Sequence, residues 1–196
     1  MASPVSADLV RPASPRLARV FDAALVAGFS LLIAVSAQVA IPLPFTPVPV
    51  TLQTFAVLLT GCFLGRGRGA LAVIAYIAEG SFGLPFFSGG TAGIAHLLGP
   101  TGGYLVGCVA SAFVAGLLSE RKSEMRPASL LFTLLTADLV VYIPGLAWLS
   151  VFTGLSKAVA LGFVPFMIGD ALKITAAGSI LMAAGLVTSR IRERNN

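Results

Sequence analysis

Charge is what this 196-residue chain has least of. Asp, Glu, Lys and Arg make up 11% of it, against roughly 25% in a soluble domain. Hydrophobic residues make up 57%, which leaves too little polar surface to cover a water-facing globule. Soluble enzymes, nucleic-acid binders and disordered chains are excluded on that ground. The chain has one histidine and two cysteines. His96 has no companion at metal-ligand spacing, and Cys62 and Cys108, each inside an apolar run, read as buried small hydrophobes rather than a disulfide. The parts of a nucleotide machine are missing as well. Gly154-Leu155-Ser156-Lys157 has the wrong spacing for a phosphate loop, Gly99-Pro100-Thr101-Gly102-Gly103 lacks its lysine, and neither G-x-S-x-G nor H-E-x-x-H occurs. No cofactor is expected, and any ATP-driven work falls to other subunits.

What is present is apolar sequence in long runs. Six segments, approximately 20–41, 51–65, 69–83, 101–118, 129–150 and 166–188, are cut by Pro/Gly clusters and charges. None alternates with period two, so a β-barrel is excluded. The expected fold is an all-α membrane protein: a bundle of six transmembrane helices in the bilayer, with outer loops capping a pocket. The second and third segments are short for the ~20 residues of a perpendicular span. Residues 1–19 form an N-terminal segment, 20–189 one six-helix domain, and 190–196 a basic tail. Val35-Ser36-Ala37 offers a signal-cleavage reading, but the apolar run it sits in, about 22 residues, exceeds the usual ~7–15.

Basic residues set the orientation. Arg11, Arg16 and Arg19 precede the first span, and Arg66 and Arg68 separate the second and third. Arg121, Lys122 and Arg126 lie between the fourth and fifth, and Arg190, Arg192 and Arg194 follow the sixth. Those are eleven of the thirteen, all on one side after six crossings, which predicts cytoplasmic termini and the inner membrane. The opposite loops are nearly uncharged: Pro42–Pro49 carries four prolines, and Gly83–Gly90 continues to Gly99–Tyr104. Such loops either fold over a bound molecule or anchor at the interface.

A charge inside a span costs several kcal/mol unless it is paired or wet. Asp22 lies at the cytoplasmic end of the first span and reads as interfacial. Asp170 and Lys173, at i and i+3, share a helix face and neutralise each other. A buried ion pair is a poor stabiliser, so this one points to function. Glu79, Gln53, Tyr104 and Tyr142 come to a similar outer depth, with Asp138 one turn deeper. Polar groups from five spans thus converge on an outward-open pocket. In the first span, Ala23 with Ala27, Ala24 with Gly28, and Ser30 with Ala34 are small-xxx-small pairs, which admit a close helix from this chain or another.

Four stretches, in order, carry a resemblance: Pro47–Phe55 (PVPVTLQTF), Gly83–Phe87 (GLPFF), Gly99–Leu105 (GPTGGYL) and Pro165–Lys173 (PFMIGDALK). The chain resembles the BioY family, the biotin-specific substrate-capture (S) components of energy-coupling factor (ECF) transporters. The resemblance runs from about Ala23 to Ala177. It implies six helices, biotin as transported ligand, a transmembrane coupling (T) subunit and cytoplasmic ATPase subunits that alone use ATP. It assigns binding to Asp170 and Lys173 and coupling-subunit contact to Ala23, Ala27 and Gly28. The family often has asparagine where Glu79 stands.

The chemistry suits that ligand. A carboxylate accepts from the urea N–H groups of biotin while an ammonium donates to its carbonyl. Lys173 fits either that carbonyl or the tail carboxylate. Phe45, Phe86 and Tyr142 offer walls for the fused ring, and Gly102 and Gly103, opening a helix, offer N–H groups to the tail. Two other readings compete: another vitamin in the same fold, and an intramembrane aspartyl protease using Asp138 and Asp170. The second lacks its G-x-G-D motif, because Met167 stands two residues before Gly169. It also needs a dyad sharing a proton, whereas Lys173 would hold Asp170 ionised.

Overall fold

The computed structural model describes residue 7, residues 11–121 and residues 126–194, with side chains to 188. Lys122, most of the first ten residues, the last two, and the side chains of Arg190, Arg192 and Arg194 lie outside the described residues. The chain is a helical bundle: α1 (Pro15–Gln38), α2 (Gln53–Ser81), α3 (Ile94–Leu98), α4 (Gly102–Glu120), α5 (Pro127–Thr153), α6 (Leu155–Gly162) and α7 (Met167–Arg194). Two-residue strands β1 (Ala40–Ile41) and β2 (Val50–Thr51) pair antiparallel, Ala40 with Thr51 and Ile41 with Val50. That ladder closes the proline-rich loop, whose four prolines bring no N–H that would need a partner.

Among the described residues, five stretches are long and apolar enough to cross a membrane, the last running through α6 and α7. Their outward faces carry Ile143, Val151, Ile168 and Leu172, each more than two-thirds exposed. A water-soluble bundle does not leave such a belt bare. It is an integral membrane protein.

The two short apolar segments lie within α2, and Gly65 divides them. Its φ of 79° and ψ of 174° belong to backbone that only glycine adopts freely. A Cβ added at Gly69 would stand 3.0 Å from the Cα of Gly61, whereas eight residues of straight helix separate two positions by about 12 Å. The chain therefore folds back at Gly65, into arms 53–64 and 66–81 that touch through two glycines.

Arm 66–81 runs parallel to α1. Near one end Asp22 pairs with Arg68 at 2.8 Å and also with Arg11. Farther along both helices, the Ser30 hydroxyl donates to Glu79 Oε2. At the bend, the Arg66 N–H donates to Glu120 Oε1 at 2.8 Å, which fixes the C-terminal end of α4.

Helix α4 is central because its glycines let backbones approach. Side chains at Gly103 and Gly107 would collide with the carbonyls of Pro144 and Val141 in α5, and one at Gly116 with the backbone at Gly65–Arg66. Small residues four apart therefore seat α4 against α5. On α1 the small residues do something else: Ala23, Ala24, Ala27 and Gly28 are exposed, and a Cβ at Gly28 would meet nothing within 4 Å.

Candidate functional site

Above the bundle, residues 83–101 form a cap. Glycines at positive φ, Gly83, Gly89, Gly90 and Gly93, allow the tight turns that fold it back. Gln38, at the end of α1, pins it. Its amide nitrogen lies 3.1 Å from the Phe86 carbonyl and 3.3 Å from that of Phe87, and its Oε1 accepts from the Gly90 N–H at 3.0 Å. Phe87 is thereby driven wholly inside. It stacks on His96 at 4.7 Å and meets Tyr76 edge-on at 5.7 Å. Thr91 gives its hydroxyl proton to the Ser88 carbonyl and faces His96 Nδ1 at 3.1 Å, with Thr101 3.3 Å from Nε2. The network therefore assigns the proton to Nδ1, leaving Nε2 to accept from Thr101. Burial holds the His96 imidazole below its usual pKa of 6.5.

Two connected chambers lie under the cap and the proline-rich loop. The outer, about 510 Å³, is lined by Pro42, Leu43, Thr46, Pro47 and Pro100 among others. The inner, about 70 Å³, is lined by Gln53, Tyr76, Tyr104, Cys108, Tyr142 and Lys173 among others. Pro49, Ser88, His96 and Thr101 line both. The inner chamber is large enough for a few waters only. A larger molecule would span both or widen the inner one.

The inner wall is built from α2, α4, α5 and α7. Lys173 Nζ donates to Asp170 Oδ1 and to Thr54 Oγ1, both at 3.0 Å. The Tyr142 hydroxyl donates to the other oxygen, Asp170 Oδ2. One ammonium N–H of three remains for a ligand. Tyr104 lies edge-on to Tyr142 at 6.2 Å, its hydroxyl donating to the Gly162 carbonyl at 2.9 Å. Gln53 reaches Cys108 Sγ at 3.8 Å.

The residues singled out from sequence fall into two groups. Gln53, Tyr104, Tyr142 and Lys173 line the inner chamber, and Asp170 is joined to two of them without lining it. The others lie elsewhere. Phe45 is exposed on the proline-rich loop, and Phe86 packs against the core around α1, α2 and α4. Gly102 and Gly103 are buried against Leu97 and α5, and Glu79 is bonded to Ser30. Asp138 is buried in α5, and Asp22 is ion-paired rather than merely interfacial. Sequence reading did not single out Tyr76, Cys108 or Thr54. Tyr76 stands one turn before Glu79 on the same arm, and that spacing alone does not mark it as a chamber residue.

The comparisons converge on one family. Residues 10–190 match the sequence pattern of the BioY family. A biotin transporter of Thermotoga maritima is 41% identical over 155 residues, 79% of this chain and 89% of that protein. A probable biotin transporter of Pyrococcus horikoshii is 40% identical over 165 residues, 84% and 95% respectively. Among solved structures, the S-component for biotin from an ECF-type ABC transporter superposes with a TM-score of 0.70. It is 28% identical, and the match covers 92% of this chain and 95% of that one. These matches favour a transporter over the aspartyl-protease alternative, and the chain belongs to the BioY family of membrane transport proteins.

Proposed function

We propose that this protein captures biotin at the outer face of the cytoplasmic membrane and serves as the substrate-specific subunit of an ECF-type transporter. One observation carries the reading: a buried Asp170–Lys173 pair, braced by Tyr142 and Thr54, at the base of a two-chamber cleft in a chain of the BioY family. The bicyclic head would seat among Tyr142, Tyr104 and Gln53. Lys173, with one N–H uncommitted, is the charged donor, and Asp170 holds it in place. The same carboxylate accepts from the Tyr142 hydroxyl, so Asp170 positions both donors without lining the chamber itself. The aliphatic tail would run into the outer, largely apolar chamber.

The membrane frame belongs to the same proposal. The reversal at Gly65 turns α2 into two crossings, and with α1, α4, α5 and α7 that makes six. The parallel course of α1 and arm 66–81, tied through Asp22–Arg68 and Ser30–Glu79, supports that count. The basic residues then gather on the cytoplasmic side with both termini, around one six-helix unit over 20–189. The bare stripe of Ala23, Ala27 and Gly28 is the seat for the coupling subunit, with ATPase subunits beyond it.

Titration calorimetry with biotin on the detergent-purified protein tests the reading. Wild type binds, and Asp170→Asn and Lys173→Ala each lose at least tenfold in affinity, as expected when a charged hydrogen-bond partner is removed. Absence of binding by well-folded wild type would overturn the ligand assignment.

A further inference from the structure

Tyr76 lines the inner chamber but makes none of the polar contacts described so far. The residue is wholly buried on arm 66–81. Among the described residues, its hydroxyl has no hydrogen-bond partner and almost no exposed surface while the chamber is at its present width. A buried hydroxyl without a partner keeps its full desolvation penalty, so a stable fold tolerates it where something else completes it.

The groups around the chamber do not complete it, because they are engaged with one another. His96 holds Thr91 and Thr101 with its two ring nitrogens. Gln53 Nε2 is directed to Cys108 Sγ, and Tyr142 to Asp170. The ring has no freedom to look elsewhere, since Phe87 meets it edge-on at 5.7 Å and is itself clamped by the stacked His96. A rigid, unspent O–H donor on a chamber wall is a preorganised ligand group.

We infer that the Tyr76 hydroxyl is a specificity-determining contact that donates a hydrogen bond to an acceptor oxygen of the bound ligand, supplementing the Asp170–Lys173 pair. This rests on the biotin reading above, whose ureido carbonyl and tail carboxylate are oxygens of that kind. The bond forms as the ligand's polar end enters and widens the inner chamber. An analogue without that oxygen would leave the hydroxyl orphaned and be rejected.

The experiment compares wild type and Tyr76→Phe by thermal unfolding without ligand and by biotin calorimetry. Without ligand, the variant melts at or above the wild-type temperature, because an unsatisfied hydroxyl has been removed. With biotin, its Kd rises about tenfold. An unchanged Kd overturns the inference while leaving biotin binding intact. A lowered ligand-free melting temperature also overturns it, since the hydroxyl would then already hold a structural partner. Failure of wild type to bind biotin is a separate outcome and removes the reading beneath.

Discussion

Lys173 and Asp170 stand 3.0 Å apart with about a tenth of each side chain exposed. Removing one partner of such a pair leaves a buried charge uncompensated, at about 3–5 kcal/mol, whereas replacing both by apolar groups is often neutral. Lys173→Met alone should therefore lower the unfolding temperature, and the double variant Asp170→Leu, Lys173→Met should restore much of it. Neither should bind biotin. Differential scanning fluorimetry beside calorimetry checks this, and a double variant as unstable as the single one would mean the pair does hold the fold. Spacing made the pair legible in the sequence, since i and i+3 share a face. It said nothing of Tyr142 and Thr54, which come from other helices.

Elements meet at the cap and at the bend. In the cap, His96 is neutral and half-buried, with a pKa below its ordinary 6.5. The opened chain therefore takes up a proton more readily than the folded one, so the cap's stability rises with pH and is lost as pH falls below about 6.5. Protonation also turns Nε2 from an acceptor for Thr101 into a donor. Biotin dissociation should accelerate between pH 7 and pH 5, and His96→Gln should flatten that dependence in stopped-flow measurements. At the bend, Gly65→Ala forces a side chain into φ 79° against Glu120. A loss of about 1–2 kcal/mol or more should appear as a lower melting temperature, with Gly67→Ala, which meets open space, as the mild control. Arg66 and Arg68 marked this break in the sequence, but only the glycine's backbone angles made it a hairpin.

For the whole molecule, orientation and assembly are the testable properties. Cys62 and Cys108 are buried, so single cysteines introduced at exposed positions report cleanly. Leu84→Cys in the cap should react with a membrane-impermeant maleimide on intact cells, and Arg121→Cys only after permeabilisation. The reverse pattern would invert the topology. Ala27→Trp on the bare face of α1 should leave biotin binding by the isolated subunit unchanged and abolish uptake by the assembled transporter. Weakened binding in that variant would instead assign the α1 face to the fold. The same motif type serves two ends here, since Gly103 and Gly107 of α4 join helices within the chain while α1 buries Ser30 and Ala34 and keeps Ala23, Ala27 and Gly28 uncovered.

Some of this was determined by composition and order along the chain. An apolar majority with little charge fixes the solvent as lipid, the distribution of arginines suggests the crossings, and four ordered motifs mark the family. These are properties that survive whatever the packing, because each depends on local chemistry or on one-dimensional position. The tertiary structure decided which candidates share a cavity. Gln53 and Tyr76 would lie about 35 Å apart on a straight helix, and they face one chamber only because the chain reverses at Gly65. Gly102 and Gly103, which read as an anion cradle, went to helix packing instead, and Tyr76, a plain tyrosine in an apolar run, became the unpartnered donor. Such outcomes depend on contacts between residues distant in sequence, and no local pattern encodes them.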